Sequence, residues 1–136
     1  MYCSSSGSAD DELFERAVPE RAFAVFGVET ASPDWHLRAP DGDFYSAWMS
    51  VDTDPFLGCL SVNRPPSAPE FWNAMFEVLR QTRIYLFWPA PGRPSYCVAN
   101  PDWRSYIKPD FVEDNGEPAM ISSGAEISAA IDASFD

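Results

Sequence analysis

His36 is the only histidine in the 136-residue chain, so any Ser–His or Cys–His nucleophile pair would have to be built on it. Its neighbours are Trp35 and Leu37, in a stretch bounded by Pro33 and Pro40. That setting suits packing or a partner contact better than proton transfer. The candidate thiols, Cys3, Cys59 and Cys97, are odd in number and widely spaced, which matches neither a disulfide framework nor a zinc-ligand pattern. Carboxylate pairs occur at Asp41/Asp43 and Asp52/Asp54. General acid chemistry needs one carboxyl kept neutral in an apolar cleft, however, and these pairs fall in polar turns. Asp110 to Glu117 concentrates carboxylates, but Val112 stands where an EF-hand loop needs an oxygen ligand. Neither G-x-G-x-x-G nor G-x-x-x-x-G-K-[ST], the glycine loops that cradle phosphates, is present. The residues therefore predict binding rather than catalysis, with no metal and no cofactor.

The elements that would position these groups follow from the hydrophobic pattern. Residues 1–8 are Ser-rich and read as a flexible tail, leaving 9–136 as a single domain. Ser8 and Asp11 resemble a capping box, and Leu13, Phe14, Ala17 and Val18 predict a short helix over residues 9–17 that stops at Pro19. Arg21–Glu29 is apolar on both alternating faces and reads as a central strand. Residues 30–43 are broken by Pro33, Pro40 and Asp41-Gly42 and read as a long loop carrying Trp35 and His36. Phe44–Asp52 and Phe56–Asn63 form a hairpin, and Ser67 with Glu70 caps a helix over 68–81. Ile84–Trp88 and Ser95–Asn100 form a second hairpin, residues 101–118 read as irregular, and Ala119–Ile121 adds a short strand. Ser123 and Glu126 cap a last helix carrying Ile127, Ala130, Ile131 and Phe135. The expected fold is α+β: an antiparallel sheet of about five or six strands with helices mainly on one face, in the order α-β-β-β-α-β-β-(β)-α.

Charge is the strongest functional signal. Nine Lys and Arg face 21 Asp and Glu, for a net charge of −12. The balance is segregated: residues 1–54 hold eleven acidic and three basic residues, 55–109 three and six, and 110–136 seven and none. Lys108 is the only lysine among nine basic residues, so nucleic acid is a poor candidate partner, because phosphate binding needs clustered cations. An aromatic share of 15% is too high for a disordered acidic chain and predicts a folded core. No run approaches the ~18 apolar residues of a membrane span. The first residues lack the basic and apolar regions of a secretory signal, so the expected location is the cytoplasm. Aromatics beside carboxylates in predicted loops are typical interface anchors. The candidate partner-binding set is thus Trp35, His36, Asp41, Asp43, Asp52, Asp54, Trp103, Tyr106, Glu113, Asp114 and Glu117.

The helix that feeds Ile84-Tyr-Leu-Phe-Trp-Pro, then Tyr96-Cys-Val-Ala-Asn, and the stretch Gly116-Glu-Pro-Ala-Met-Ile-Ser-Ser-Gly-Ala-Glu-Ile127, sit in a small acidic α+β chain. In this the chain resembles the immunity proteins of bacterial polymorphic-toxin and contact-delivered effector systems. The resemblance implies an acidic surface that docks on a cognate toxin, often basic, and occludes its active site or blocks its closure; a monomer is expected rather than a homodimer. The element order is also similar to that of class I type III secretion chaperones, which are homodimers that wrap an effector segment. Residues 101–122 and the short first helix depart from that pattern. A small enzyme using His36 is the third reading.

Overall fold

A computed structural model describes residues 2–5, 14–31, 34–38, 44–51, 56–57, 59–63 and 65–136. The N-terminal half holds β1 (Tyr2–Ser5), β2 (Phe14–Glu15), α1 (Ala17–Ala22), β3 (Gly27–Ala31), β4 (Asp34–Arg38), β5 (Phe44–Val51), β6 (Phe56–Leu57) and β7 (Cys59–Asn63). The C-terminal half holds α2 (Pro69–Gln81), β8 (Ile84–Phe87), β9 (Tyr96–Val98), a 3-10 turn (Trp103–Ser105), α3 (Pro109–Asn115), β10 (Ala119–Met120) and α4 (Gly124–Ser134). The sheet order is β10-β9-β8-β1-β7-β5-β4-β3, and β2 pairs with β6 in a separate ribbon. Neighbouring strands run antiparallel except β9 and β10, so β8, β9 and β10 form a mixed three-stranded unit. The α+β class therefore holds. The expected count of five or six strands and the expected element order do not.

Strand β8 shows why helices cover both sides of this unit. Ile84, Leu86 and Trp88 alternate with Tyr85 and Phe87, and both sets are apolar, so neither side of the strand can face water. Ile84, Leu86, Trp88 and Cys97 join the main core with Phe71, Met75, Val78 and Leu79 of α2 and Ile127 of α4. Tyr85, Tyr96 and Val98 join a second core with Trp103, Tyr106 and Ile107, against which Phe111 of α3 packs. The Phe111 ring lies 4.9 Å from the rings of both Tyr85 and Tyr96. Three of the four helices, α1, α2 and α4, contribute to the main core, as expected of helices mainly on one face, and α3 adds a smaller layer on the other.

Several local expectations also change, each for a chemical reason. Pro19 does not end a helix; it occupies the first turn of α1, where a missing N–H costs nothing. The central strand expected over 21–29 is instead an edge strand shifted to Gly27–Ala31, because Phe23 and Phe26, three residues apart, reach the core from a turn rather than from alternating strand positions. Residues 34–38 are a strand, not a loop: Trp35 and Leu37 alternate inward, and His36 lies between them. Residues 109–115 are helical because Pro109 takes the first helical position and Gly116, at φ 79°, ends the helix. Tyr2–Ser5, expected in a free tail, pairs with β7 on one side and β8 on the other. The helix over 69–81 starts at Ala68 without a side-chain cap, so Ser67 does not serve that role. The β5–β7 pairing, β8, β9 and β10 and the Ser123 cap of α4 agree with the sequence pattern.

Candidate interaction surfaces

The predicted partner-binding aromatics are interior residues. Trp35 is 5% exposed, Trp103 7% and Tyr106 3%, so none of the three presents its ring as a surface anchor. Each is instead roofed by an arginine. The Arg16 guanidinium lies 5.8 Å from the Trp35 ring centre, Arg104 4.3 Å from Trp103, and Arg83 5.3 Å from Tyr106. Guanidinium planes cover aromatic faces well because they are weakly hydrated and attracted to the ring quadrupole. His36 is half-buried in β4, in register with Glu29 of β3 and Trp48 of β5. Asp41, Asp43, Asp52 and Asp54 lie outside the described residues.

Glu113, Asp114 and Glu117 are exposed, on α3 and the turn after it. Glu117 pairs with Arg104 at 2.5 Å, which ties this turn to the 3-10 segment over the second core. The Tyr96 hydroxyl, from inside that core, donates to the Gly116 carbonyl at 2.6 Å. Burial, and then the Glu117 charge, push the Tyr96 hydroxyl up to about 12. The predicted set is therefore split. Trp103 and Tyr106 lie under the segment whose outer surface carries Glu113, Asp114 and Glu117. Trp35 and His36 sit in the four-stranded β3-β4-β5-β7 half of the sheet.

The acidic bias of the last 27 residues is a surface property. Asp110, Glu113, Asp114, Glu117, Glu126, Asp132 and Asp136 are all exposed, and among the described residues only Glu117 of these forms an ion pair. Hydrogen bonds from the Ser122 backbone N–H and hydroxyl hold the Glu126 carboxyl below the usual carboxylate range. Cys97 is fully buried, and burial pushes its thiol far up, so it is not a nucleophile in the folded chain. No three His, Cys, Asp or Glu side chains gather as a metal site among the described residues, and no helix there is long and apolar enough to cross a membrane.

Two concavities were not foreseen. One, of about 340 Å³, runs between α2 and α4, where Ala125, Ser128, Ala129 and Asp132 form a single stripe of α4 facing Pro69 and Trp72. Its signal was present in the sequence as i, i+3, i+4, i+7 spacing of small residues. The other, of about 560 Å³, lies between the β2–α1 segment and the end of α2, and Arg21, Arg80 and Arg83 line it. Arg21 is remote in sequence from the other two, so only folding assembles this group. Compared with protein-family models, curated proteins and solved structures, the chain matches none.

Proposed function

We propose that this protein is a non-catalytic acidic binding protein of the immunity type, which neutralises a basic bacterial toxin in the cytoplasm by covering its active site. One observation carries the proposal: seven exposed carboxylates and no cation between residues 110 and 136. Such a surface attracts a basic partner over roughly 8 Å at physiological salt and raises association rates by about 10- to 1000-fold at low salt. The burial of Trp103 and Tyr106 supports the same reading in a different way than expected. These rings stiffen the layer beneath Glu113, Asp114 and Glu117, so the carboxylates ride on an ordered platform, and little conformational freedom has to be lost on docking.

The test begins with affinity capture from the native bacterium and mass spectrometry, with light scattering on the protein alone. The captured partner is then purified and its association rate measured at several salt concentrations. The proposal expects a monomer, one toxin with a basic surface, and inhibition of that toxin at one-to-one stoichiometry. Replacing Asp110, Glu113 and Asp114 by Lys should slow association by roughly tenfold at low salt and flatten its salt dependence. A homodimer carrying a secreted effector would replace the immunity reading with the chaperone one. An unchanged association rate in the triple variant would remove the role of this surface.

A further inference from the structure

The 560 Å³ cleft beside the end of α2 gathers three of the nine cations in a chain of net charge −12. Phe14 and Val18 form an apolar wall, and Glu15 is the one acidic lining residue against Arg21, Arg80 and Arg83. Helix polarity accounts for part of this arrangement. Arg21 is in the last turn of α1 and Arg80 in the last turn of α2, where cations offset the carbonyl end of the helix dipole. Arg83 lies beyond α2, on the approach to β8, and that effect does not reach it.

Two of the guanidiniums are held in place before any ligand arrives. Arg80 donates through Nε and Nη2 to the Glu77 carboxylate, at 3.2 and 2.5 Å. Arg83 donates through Nη2 to the Ser105 hydroxyl at 2.8 Å and lies over the Tyr106 ring. Arg21 is exposed and forms no ion pair among the described residues. Guanidinium N–H groups suit the oxygens of carboxylates and phosphates; the Nε–Nη2 edge of Arg80 is taken by Glu77, so Arg80 offers an anion its remaining N–H groups. The volume falls within the roughly 300–1,000 Å³ of small-molecule sites. The protein's overall negative field opposes an anion, but it is screened over about 8 Å at physiological salt, whereas the arginines act at contact.

We propose that this cleft binds a small polyanion, a molecule with at least two phosphate or carboxylate groups, through Arg21, Arg80 and Arg83. The site is independent of the acidic surface, so the two assignments stand or fall separately. The test is titration of the full chain with pyrophosphate, citrate and inorganic phosphate at constant ionic strength, read by calorimetry and by the arginine Nε–H NMR signals. Saturable binding is expected, tighter for pyrophosphate and citrate than for phosphate, with Arg21 signals among those that shift. R21Q should weaken binding about tenfold, R21K less, and R21Q/R83Q should abolish it. Should R83Q prove unfolded, R21Q decides alone, since Arg21 is exposed. Absence of saturation, unchanged affinity in R21Q, or equal shifts with chloride at the same ionic strength would overturn the assignment.

Discussion

At Gly124 the backbone of α4 packs directly on that of α2, and replacing it with alanine tests that contact. A Cβ at this position would lie 2.5 Å from the Asn73 nitrogen and the Trp72 carbonyl carbon, and 2.6 Å from Asn73 Oδ1. Non-bonded carbons rest at about 3.5–4.0 Å, so the helices would have to separate by about 1 Å, and two of the three obstructing atoms are backbone that cannot swing aside. Overpacking of this kind costs roughly 1–3 kcal/mol, while the better helix propensity of alanine returns less than about 1 kcal/mol. A net loss of about 1–2 kcal/mol is expected. Unfolding entropy near 2.1 cal/mol/K per residue turns this into a fall in Tm of roughly 4–7 °C for a chain of this length. Urea denaturation and thermal melts of G124A measure it, with an unchanged m-value showing that the compact state is the same. Gly116 supplies a contrast: nothing lies within 4 Å of a Cβ there, but φ is +79°, so G116A loses roughly 1–3 kcal/mol through backbone strain alone. If G124A were as stable as the parent or more so, α4 would not be seated on α2 at this point.

Tyr96 makes stability depend on alkali. Its hydroxyl ionises near 10 when unfolded and about 12 when folded, so between these values the unfolded chain holds fewer protons and stability falls as pH rises, by on the order of 1–2 kcal/mol. Y96F should cost about 1 kcal/mol at neutral pH, through loss of the bond to Gly116, and flatten the decline measured by denaturation between pH 9 and about 11.5. Ser134 accepts the buried Trp88 indole N–H at 2.7 Å, so S134A strands that donor and should cost roughly 1–3 kcal/mol in chemical denaturation; a neutral S134A would show that the indole finds another acceptor. Ser4 of β1 pairs with Cys59 and Tyr85, between two strands, and S4P should cost roughly 1–3 kcal/mol by removing a donor from a central ladder and stranding its acceptor. A harmless S4P would show that β1 does not join the two halves of the sheet.

Much of this protein follows from its residues taken locally. The α2 helix is visible in the spacing of Phe71, Trp72, Met75, Val78 and Leu79, and the Ser123–Glu126 cap marks the start of α4 in the sequence itself. The charge asymmetry is equally a property of the sequence, because charged side chains are rarely buried without a partner, and all seven carboxylates after Lys108 do face solvent. The α3 helix was legible too: Pro109 at the first position and Gly116 past the end form a recognisable pair, which proline's reputation as a breaker conceals.

Other features required the tertiary structure. Whether Trp103 and Tyr106 anchor a partner or fill a second core depends on whether another element covers Tyr85 and Tyr96, and Phe111 of α3 does so from 26 and 15 residues further along the chain. Tyr2–Ser5 carries little apolar pattern, so its place between β7 and β8 is determined by backbone hydrogen bonding to strands about 57 and 83 residues away in register. Arg21 meets Arg80 and Arg83 only because α1 packs on α2. Composition and periodicity thus determined the fold class, the best-patterned elements and the sign of the surface. Long-range packing decided which aromatics are hidden, which strand joins the sheet and where the cations collect, since each of these depends on contacts between segments that are not neighbours in the chain.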